Sequence, residues 1–206
     1  GEVATLLTAS LMGFATPLRA VQVLWVNLVT DGFTTIALGV DPAEGDEMET
    51  KPRKSSEPLL SRHMTEQVVV VSVLMAIGTL LAYKLGLKFS AEAGAAAEMQ
   101  VRHAQTMAFG TMVFFQLFNI FNCRSYEKSL FKVGIFSNMT LVGAVLLASF
   151  LQLAAMFLPF MQNLMGTAVL NGKELLVVFL ISFTVVPAVE LLKMLDRRID
   201  GKSKNA

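Results

Sequence analysis

Apolar residues along this chain come in long blocks separated by short polar stretches. Four blocks have the ~20 residues a membrane-crossing helix needs: Ala20 to Val40, Gln67 to Leu87, Ala104 to Cys123 and Met139 to Phe160. A fifth, Leu175 to Leu195, follows them, with Pro187 expected to kink its helix. Ahead of all five lies a shorter run, Val3 to Ala15, stopped by Pro17 and Arg19. At ~1.5 Å per residue that run is roughly 20 Å long, short of the ~30 Å hydrocarbon core. No initiator Met or positively charged leader precedes it, so it reads as part of a helix rather than as a signal peptide. The chain is therefore expected to start in mid-membrane, as a fragment of something larger. Between Lys132 and Lys173 the uncharged stretch is punctuated by Pro159, Gln162, Asn163, Gly166 and Asn171-Gly172, which predicts one helix and an irregular loop. The expected fold is all-α: a polytopic transmembrane bundle of about six helices in residues 1–195, the first one truncated.

Composition agrees with this reading. The chain is 54% hydrophobic and only 16% charged, with mean hydropathy +0.58; soluble domains carry about 25% charged residues. A net charge of +1 gives no basic field for nucleic acid. The single cysteine, Cys123, permits no intrachain disulfide framework.

The Lys and Arg residues set the orientation, because cytoplasmic loops are enriched in them. Alternate connections hold Lys51, Arg53, Lys54 and Arg62, then Arg124, Lys128 and Lys132, then Lys193, Arg197, Arg198, Lys202 and Lys204; only Arg19, Lys84, Lys88, Arg102 and Lys173 fall on the other side. The 41–65 loop, the 124–132 loop and the 196–206 tail are thus expected in the cytoplasm, and any preceding part of the protein as well. The 41–65 loop is acidic and then basic, with Pro42, Pro52 and Pro58 opposing a long helix. It reads as an extended docking surface or a solvated connector. Ala91 to Glu98 is an external connector, expected to be helical from its alanines, with no chemistry assigned.

Ionisable groups inside a span cost at least ~2.5–3.5 kcal/mol at a helix centre on insertion scales, so each needs a partner or a function. Asp31 sits near the middle of the second helix, with Asn27 four residues before it and Thr30 adjacent. On a helix, Asn27 and Asp31 share a face and offer a carbonyl oxygen and a carboxylate to a common point. Gly32, Thr34 and Thr35 follow, a stretch weak for helix continuity. An unwound turn there would expose further oxygen ligands, as in transporters built on broken helices. Oxygen donors without His or Cys suit a hard cation such as Ca²⁺; a hydrogen-bonded cluster that glues helices together is the alternative. Glu2 is a second carboxylate at similar depth if the first helix crosses outward. Together they would neutralise a divalent cation and, by mutual repulsion once it leaves, favour proton return. Gln116 is deep enough in the fourth helix to add a neutral ligand.

Other polar and aromatic residues have simpler readings. Asn119 and Asn122 suit interhelical hydrogen bonds, and Glu190 with Lys193 an interfacial ion pair. Trp25, Phe114 and Phe115 are packing or lipid-facing side chains. His63 and His103 lie singly at membrane edges, and one histidine per site is not a metal cluster. The glycosylation-like Asn138-Met-Thr140 falls at the cytoplasmic end of a helix.

The run Leu24-Trp-Val-Asn-Leu-Val-Thr-Asp-Gly32, continuing to Ala37-Leu-Gly-Val-Asp-Pro42 and Lys51-Pro-Arg53, resembles the sixth transmembrane helix and following loop of type IIA P-type ATPases, the calcium pumps of sarcoplasmic-reticulum kind. Gly1-Glu2-Val3 is similar to the middle of that family's fifth helix, and Gln116-Leu-Phe-Asn119-Ile-Phe-Asn122 to its eighth. The resemblance implies the fifth to tenth helices of such a pump. Glu2 would be the fifth-helix carboxylate, Asn27, Thr30 and Asp31 the sixth-helix ligands, and Gln116 would stand where two-site pumps carry Glu. One tightly held cation per cycle is then expected, at the site using Asn27 and Asp31.

The resemblance further implies Ca²⁺ as the transported ion, proton counter-transport, and ATP and Mg²⁺ handled by cytoplasmic domains outside this sequence. The expected partners are the lipid bilayer, the preceding helices, and the phosphorylation, nucleotide and actuator domains of the same chain. No catalytic residue is expected here. The compact loops and the tail lean towards a prokaryotic plasma membrane. A pump for Mn²⁺, Mg²⁺ or a monovalent ion is the rival within the class; a secondary transporter or channel built around Asp31 is the rival outside it, although no second Asn-x-x-Thr-Asp-Gly is present.

Overall fold

The computed structural model describes residues 1–41, 62–125 and 129–203, and the regular structure among them is helical. Five stretches are long and apolar enough to cross a membrane: Ala20–Gly39, His63–Glu92, Ala97–Asn122, Met139–Phe157 and Gly172–Arg197. A shorter apolar helix, α1 (Glu2–Leu11), precedes them. The first crossing is composite, with α2 (Ala20–Trp25), a π-helical turn (Val26–Asp31) and α3 (Gly32–Gly39) end to end. Then come α4 (Arg62–Glu92), α5 (Ala97–Asn122), the single turn α6 (Leu130–Val133), a 3₁₀ turn (Ile135–Ser137), α7 (Met139–Phe157), α8 (Pro159–Met165), α9 (Gly172–Phe183) and α10 (Val185–Ser203).

The bundle is organised around α5. Of its most apolar window 72% is buried, against 28–39% in the other spans, so α5 is the axis and the others its sheath. Phe109, Met112, Phe114 and Phe115 are shut off from the surface, whereas Leu24, Ile36, Phe150 and Leu176 point outward as lipid-facing residues do. Phe114 lies 4.3 Å, centroid to centroid, from Phe179 of α9, and Phe118 meets Phe183 edge-on at 5.6 Å. Lipid offers no hydrophobic drive between helices, so close approach of backbones matters more. Small residues provide it between α4 and α5. A Cβ at Gly86 would come within 2.7 Å of the Ala104 Cα, and one at Gly78 within 2.5 Å of the Phe115 ring.

Several local expectations are corrected. The alanine-rich connector does not carry a helix through: α4 stops at Glu92, Gly94 takes φ +72°, and α5 starts at Ala97. Alanine propensity yields there to a glycine that is free to adopt the left-handed turn. The segment after α7 is not wholly irregular, because Pro159 starts the two-turn α8, which Gly166 ends at φ 67°. The last crossing bends as expected. Helix geometry breaks at Thr184, between α9 and α10, and Pro187 lacks the N–H that would bond to the Phe183 carbonyl. Of the predicted tail, residues 196–203 continue α10; residues 204–206, and residues 42–61 of the predicted 41–65 loop, lie outside the described residues.

Polar side chains tie the two ends of the bundle. At the end holding the turn between α4 and α5, Arg102 Nε donates to Thr167 O at 2.9 Å, and Gln22 Nε2 to Met165 O at 3.1 Å. At the opposite end Lys193 Nζ donates to Asn122 O at 3.0 Å and lies 3.9 Å from Glu190. Glu190 accepts in turn from Ser129 Oγ and Leu130 N. Among the described residues the side-chain amides of Asn119 and Asn122 do not reach across helices as expected but bond locally, to Cys123 Sγ and Asn119 Oδ1, and it is the Asn122 backbone carbonyl that joins α10. Gly86→Ala tests the close approach of α4 and α5. With backbone rather than a flexible side chain in the way, the variant should lose about 1–3 kcal/mol of stability, read as a lowered midpoint in detergent thermal unfolding, while Gly143→Ala, which meets no atom within 4 Å, should leave the midpoint in place.

Candidate cation-binding site

The π turn is the local feature that sets the geometry. Wider i→i+5 winding is rare and concentrates at functional positions; here it spans Val26–Asp31 and gives way to α-helix at Gly32. The weak stretch around Asp31 therefore widens rather than unwinds. At the change of winding the Asn27 side-chain amide donates to Val23 O at 2.9 Å. One turn on, Thr34 Oγ1 donates to Thr30 O at 2.6 Å. Such side-chain bonds compete with the regular ladder.

The five predicted ligand residues fall into two groups. Asn27 and Asp31 lie on the outer side of the π turn, and both are exposed in this chain. Thr30 is on the inner side, buried against the rest of the bundle. From the other direction, α1 and α5 bring Glu2 and Gln116 together, and Gln116 Nε2 donates to Glu2 Oε1 at 2.9 Å. The Glu2 carboxylate is near enough to Asp31 for the two to interact electrostatically.

Two oxygens in this arrangement have no partner. Gln116 Oε1 and Thr30 Oγ1 are shielded from solvent and take part in no hydrogen bond. A buried polar group without a bond costs about 1–3 kcal/mol by mutational measures, so such atoms call for a ligand or a reason. Thr79 and Thr111 also carry sealed, unpartnered hydroxyls. The carboxylates set the first pair apart: Gln116 holds Glu2, and Thr30 precedes Asp31. Carboxylates, amide carbonyls and a hydroxyl form a hard, all-oxygen donor set, which suits Ca²⁺ or a cation of similar hardness.

Sequence reasoning missed a clasp at the C-terminal end of the same crossing. Asp41, just past α3, is gripped by Arg124 through both guanidinium arms, Nε at 2.9 Å and Nη2 at 2.8 Å. Asn138 adds bonds to Asp41 Oδ1 at 3.0 Å and to Ala37 O at 3.1 Å, while its own carbonyl caps α7 through Leu141 N. The residue whose sequon match pointed nowhere is thus a junction between α3 and α7. The available signal was an acid directly after one span and an arginine directly after another on the same side. Trp25 is also more than packing, since its Nε1 donates to Gln152 Oε1 at 3.1 Å.

With five helices among the described residues long and apolar enough to cross a membrane, the fold is that of a multi-pass membrane domain. Residues 15–195 match the family model for the C-terminus of cation-transporting ATPases. The chain is 37% identical to calcium-transporting ATPase 1 of Bacillus cereus over 94% of its length, and 38% identical to the calcium-transporting ATPase of Bacillus subtilis over 86%. Identity to the mouse calcium-transporting ATPase type 2C member 1 is 31% over 96% of the chain. The matched regions are 23%, 19% and 21% of those proteins, so this chain spans about a fifth of the curated relatives it matches. It belongs to the family of cation-transporting ATPase C-terminal domains.

Thr30→Val separates a ligand hydroxyl from a structural one. Replacing an unbonded buried hydroxyl by methyl should leave the thermal midpoint unchanged or raise stability by up to about 1–3 kcal/mol. Cation affinity should fall about tenfold, about 1.4 kcal/mol, in a Ca²⁺ titration of the full-length protein. Lower stability with unchanged affinity would mean that the hydroxyl serves only packing.

Proposed function

We propose that this chain is the cation-binding and translocating part of an ATP-driven P-type pump that exports Ca²⁺ from the cytoplasm, with protons returning. The observation that carries the reading is the pair of sealed, unbonded oxygens, Thr30 Oγ1 in the π turn and Gln116 Oε1, the latter on the amide that donates to the Glu2 carboxylate. Glu2, Asn27, Thr30, Asp31 and Gln116 are the proposed ligands. Asn27 and Asp31 are exposed on the outer side of the π turn, where a preceding helix of the parent protein would complete the shell. The calcium-transporting relatives support Ca²⁺ over other hard cations.

In this reading one Ca²⁺ is held tightly per cycle, at Asn27 and Asp31. Gln116 contributes no charge, so the Glu2 side of the site has one carboxylate where a pair would be needed to neutralise a second divalent ion. On release, Glu2 and Asp31 are left within electrostatic range of each other without a cation, and proton uptake relieves their repulsion. ATP and Mg²⁺ act through phosphorylation, nucleotide and actuator domains elsewhere in the parent chain; the residues present here bind, orient and release the ion. The 41–65 loop is proposed to dock against the phosphorylation domain, and the bilayer to be a prokaryotic plasma membrane.

Phosphoenzyme formation from ATP in the full-length parent, with Ca²⁺, Mn²⁺ and Mg²⁺ compared, tests the proposal. Labelling should depend on Ca²⁺ and be lost in Asp31→Asn. A folded protein that forms no acid-stable phosphoenzyme with any cation would overturn the P-type reading and leave Asp31 to an ATP-independent transporter. Gln116→Glu should raise the Ca²⁺ bound per phosphorylated enzyme from one toward two; an unchanged ratio would remove Gln116 as the determinant of stoichiometry.

A further inference from the structure

The cytoplasmic ends of α4 and α10 bring together three side chains that the transport site does not use. His63 and Glu66 are three residues apart in the first turns of α4 and so lie on one face. Asp196, from α10, meets them there. One ligand atom from each of the three lies within 4.8 Å of the other two, and His63 Nδ1 is 3.2 Å from Asp196 Oδ2. Neighbouring ligands on a Zn²⁺ with bonds of about 2.0–2.1 Å are about 3.3 Å apart in tetrahedral geometry.

An imidazole–carboxylate ion pair accounts for this closeness only in part. Asp196 Oδ2 is shielded from solvent, yet it accepts no hydrogen bond, although an imidazole nitrogen is beside it. The site still communicates with water, since the side chains of His63 and Asp196 are 28% and 14% exposed. An ion could enter there and keep a water ligand. Two carboxylates and a neutral imidazole carry the charge to balance a divalent cation. One nitrogen and two oxygens in an open, three-ligand site match borderline first-row ions rather than Ca²⁺, which takes six to eight oxygens.

We propose that His63, Glu66 and Asp196 form a binding site for a divalent transition metal of the Zn²⁺ class, which ties the cytoplasmic start of α4 to the cytoplasmic half of α10. The site is separate from Glu2, Asn27, Thr30, Asp31 and Gln116, and does not rest on the pump reading. Its consequence is mechanical: the closing helix of the bundle, already held through Lys193 and Glu190, gains a metal-dependent fastening to α4.

The test uses the full-length parent protein, stripped with EDTA and given Zn²⁺, with bound metal counted by mass spectrometry. Wild type should retain one more equivalent of Zn²⁺ than His63→Gln or Asp196→Asn, while Asp31→Asn retains as much as wild type. A second measurement needs no variant. Zn²⁺ should slow acylation of His63 by diethyl pyrocarbonate at least about threefold in peptide mapping, because a metal ligand must give up its free lone pair. Equal Zn²⁺ retention in wild type and the folded variants, or unprotected His63, would overturn the proposal and leave a plain imidazole–carboxylate pair.

Discussion

A polar atom inside a bilayer has no water to turn to, and the arrangement of this bundle follows from how that demand is met. Backbone groups are satisfied by helical winding, the first requirement for crossing lipid. Side chains are satisfied across helices: Gln22 on the Met165 carbonyl, Trp25 on Gln152, Ser182 on the Thr111 carbonyl. Each such bond costs little where both partners are present and would be expensive to break, so it fixes which helices are neighbours. Against that background the unbonded oxygens of Thr30 and Gln116 mark a place where satisfaction depends on something else.

The position of that place follows from α5. Because α5 is enclosed by the other helices, a polar residue on it is held at fixed depth and direction, and Gln116 projects from this rigid axis to Glu2 on α1. The opposing element is compliant by construction. The π turn departs from regular winding, with its Asn27 bonded back to the Val23 carbonyl of α2 and its Thr30 carbonyl taken by Thr34 of α3. A rigid donor on one side and a re-windable one on the other is a suitable design for a site that must hold an ion and then release it.

The clasp at Asp41 connects this crossing to the connection between α5 and α7. A two-armed guanidinium–carboxylate pair with the Arg124 side chain 3% exposed is directional as well as strong, unlike a surface ion pair. It is braced by Asn138, which holds the Ala37 carbonyl and caps α7 with the same amide. The end of α3, ten residues along the chain from Asp31, is therefore tied to Arg124 and to the start of α7.

The sequence by itself determined the class of fold and singled out the residues proposed as ligands. Runs of apolar residues long enough to cross a bilayer have few alternatives to transmembrane helices, so the spans were legible to within about two turns at their ends. Asp31, Glu2 and Gln116 were legible for the same reason, since an ionisable or amide side chain is conspicuous in a hydrocarbon setting. Tertiary structure decided what depends on partners distant in the chain. The Gln116–Glu2 bond spans 114 positions, the Arg124–Asp41 clasp 83, and the approach of Asp196 to His63 joins the two ends of the described α4–α10 region. Local winding was also decided there. The π turn at Val26–Asp31 and the turn at Gly94 override simple propensity, because packing against α5 and the need to reverse direction outweigh the few tenths of a kcal/mol by which ordinary residues differ in helix preference, about 0.7 kcal/mol at most.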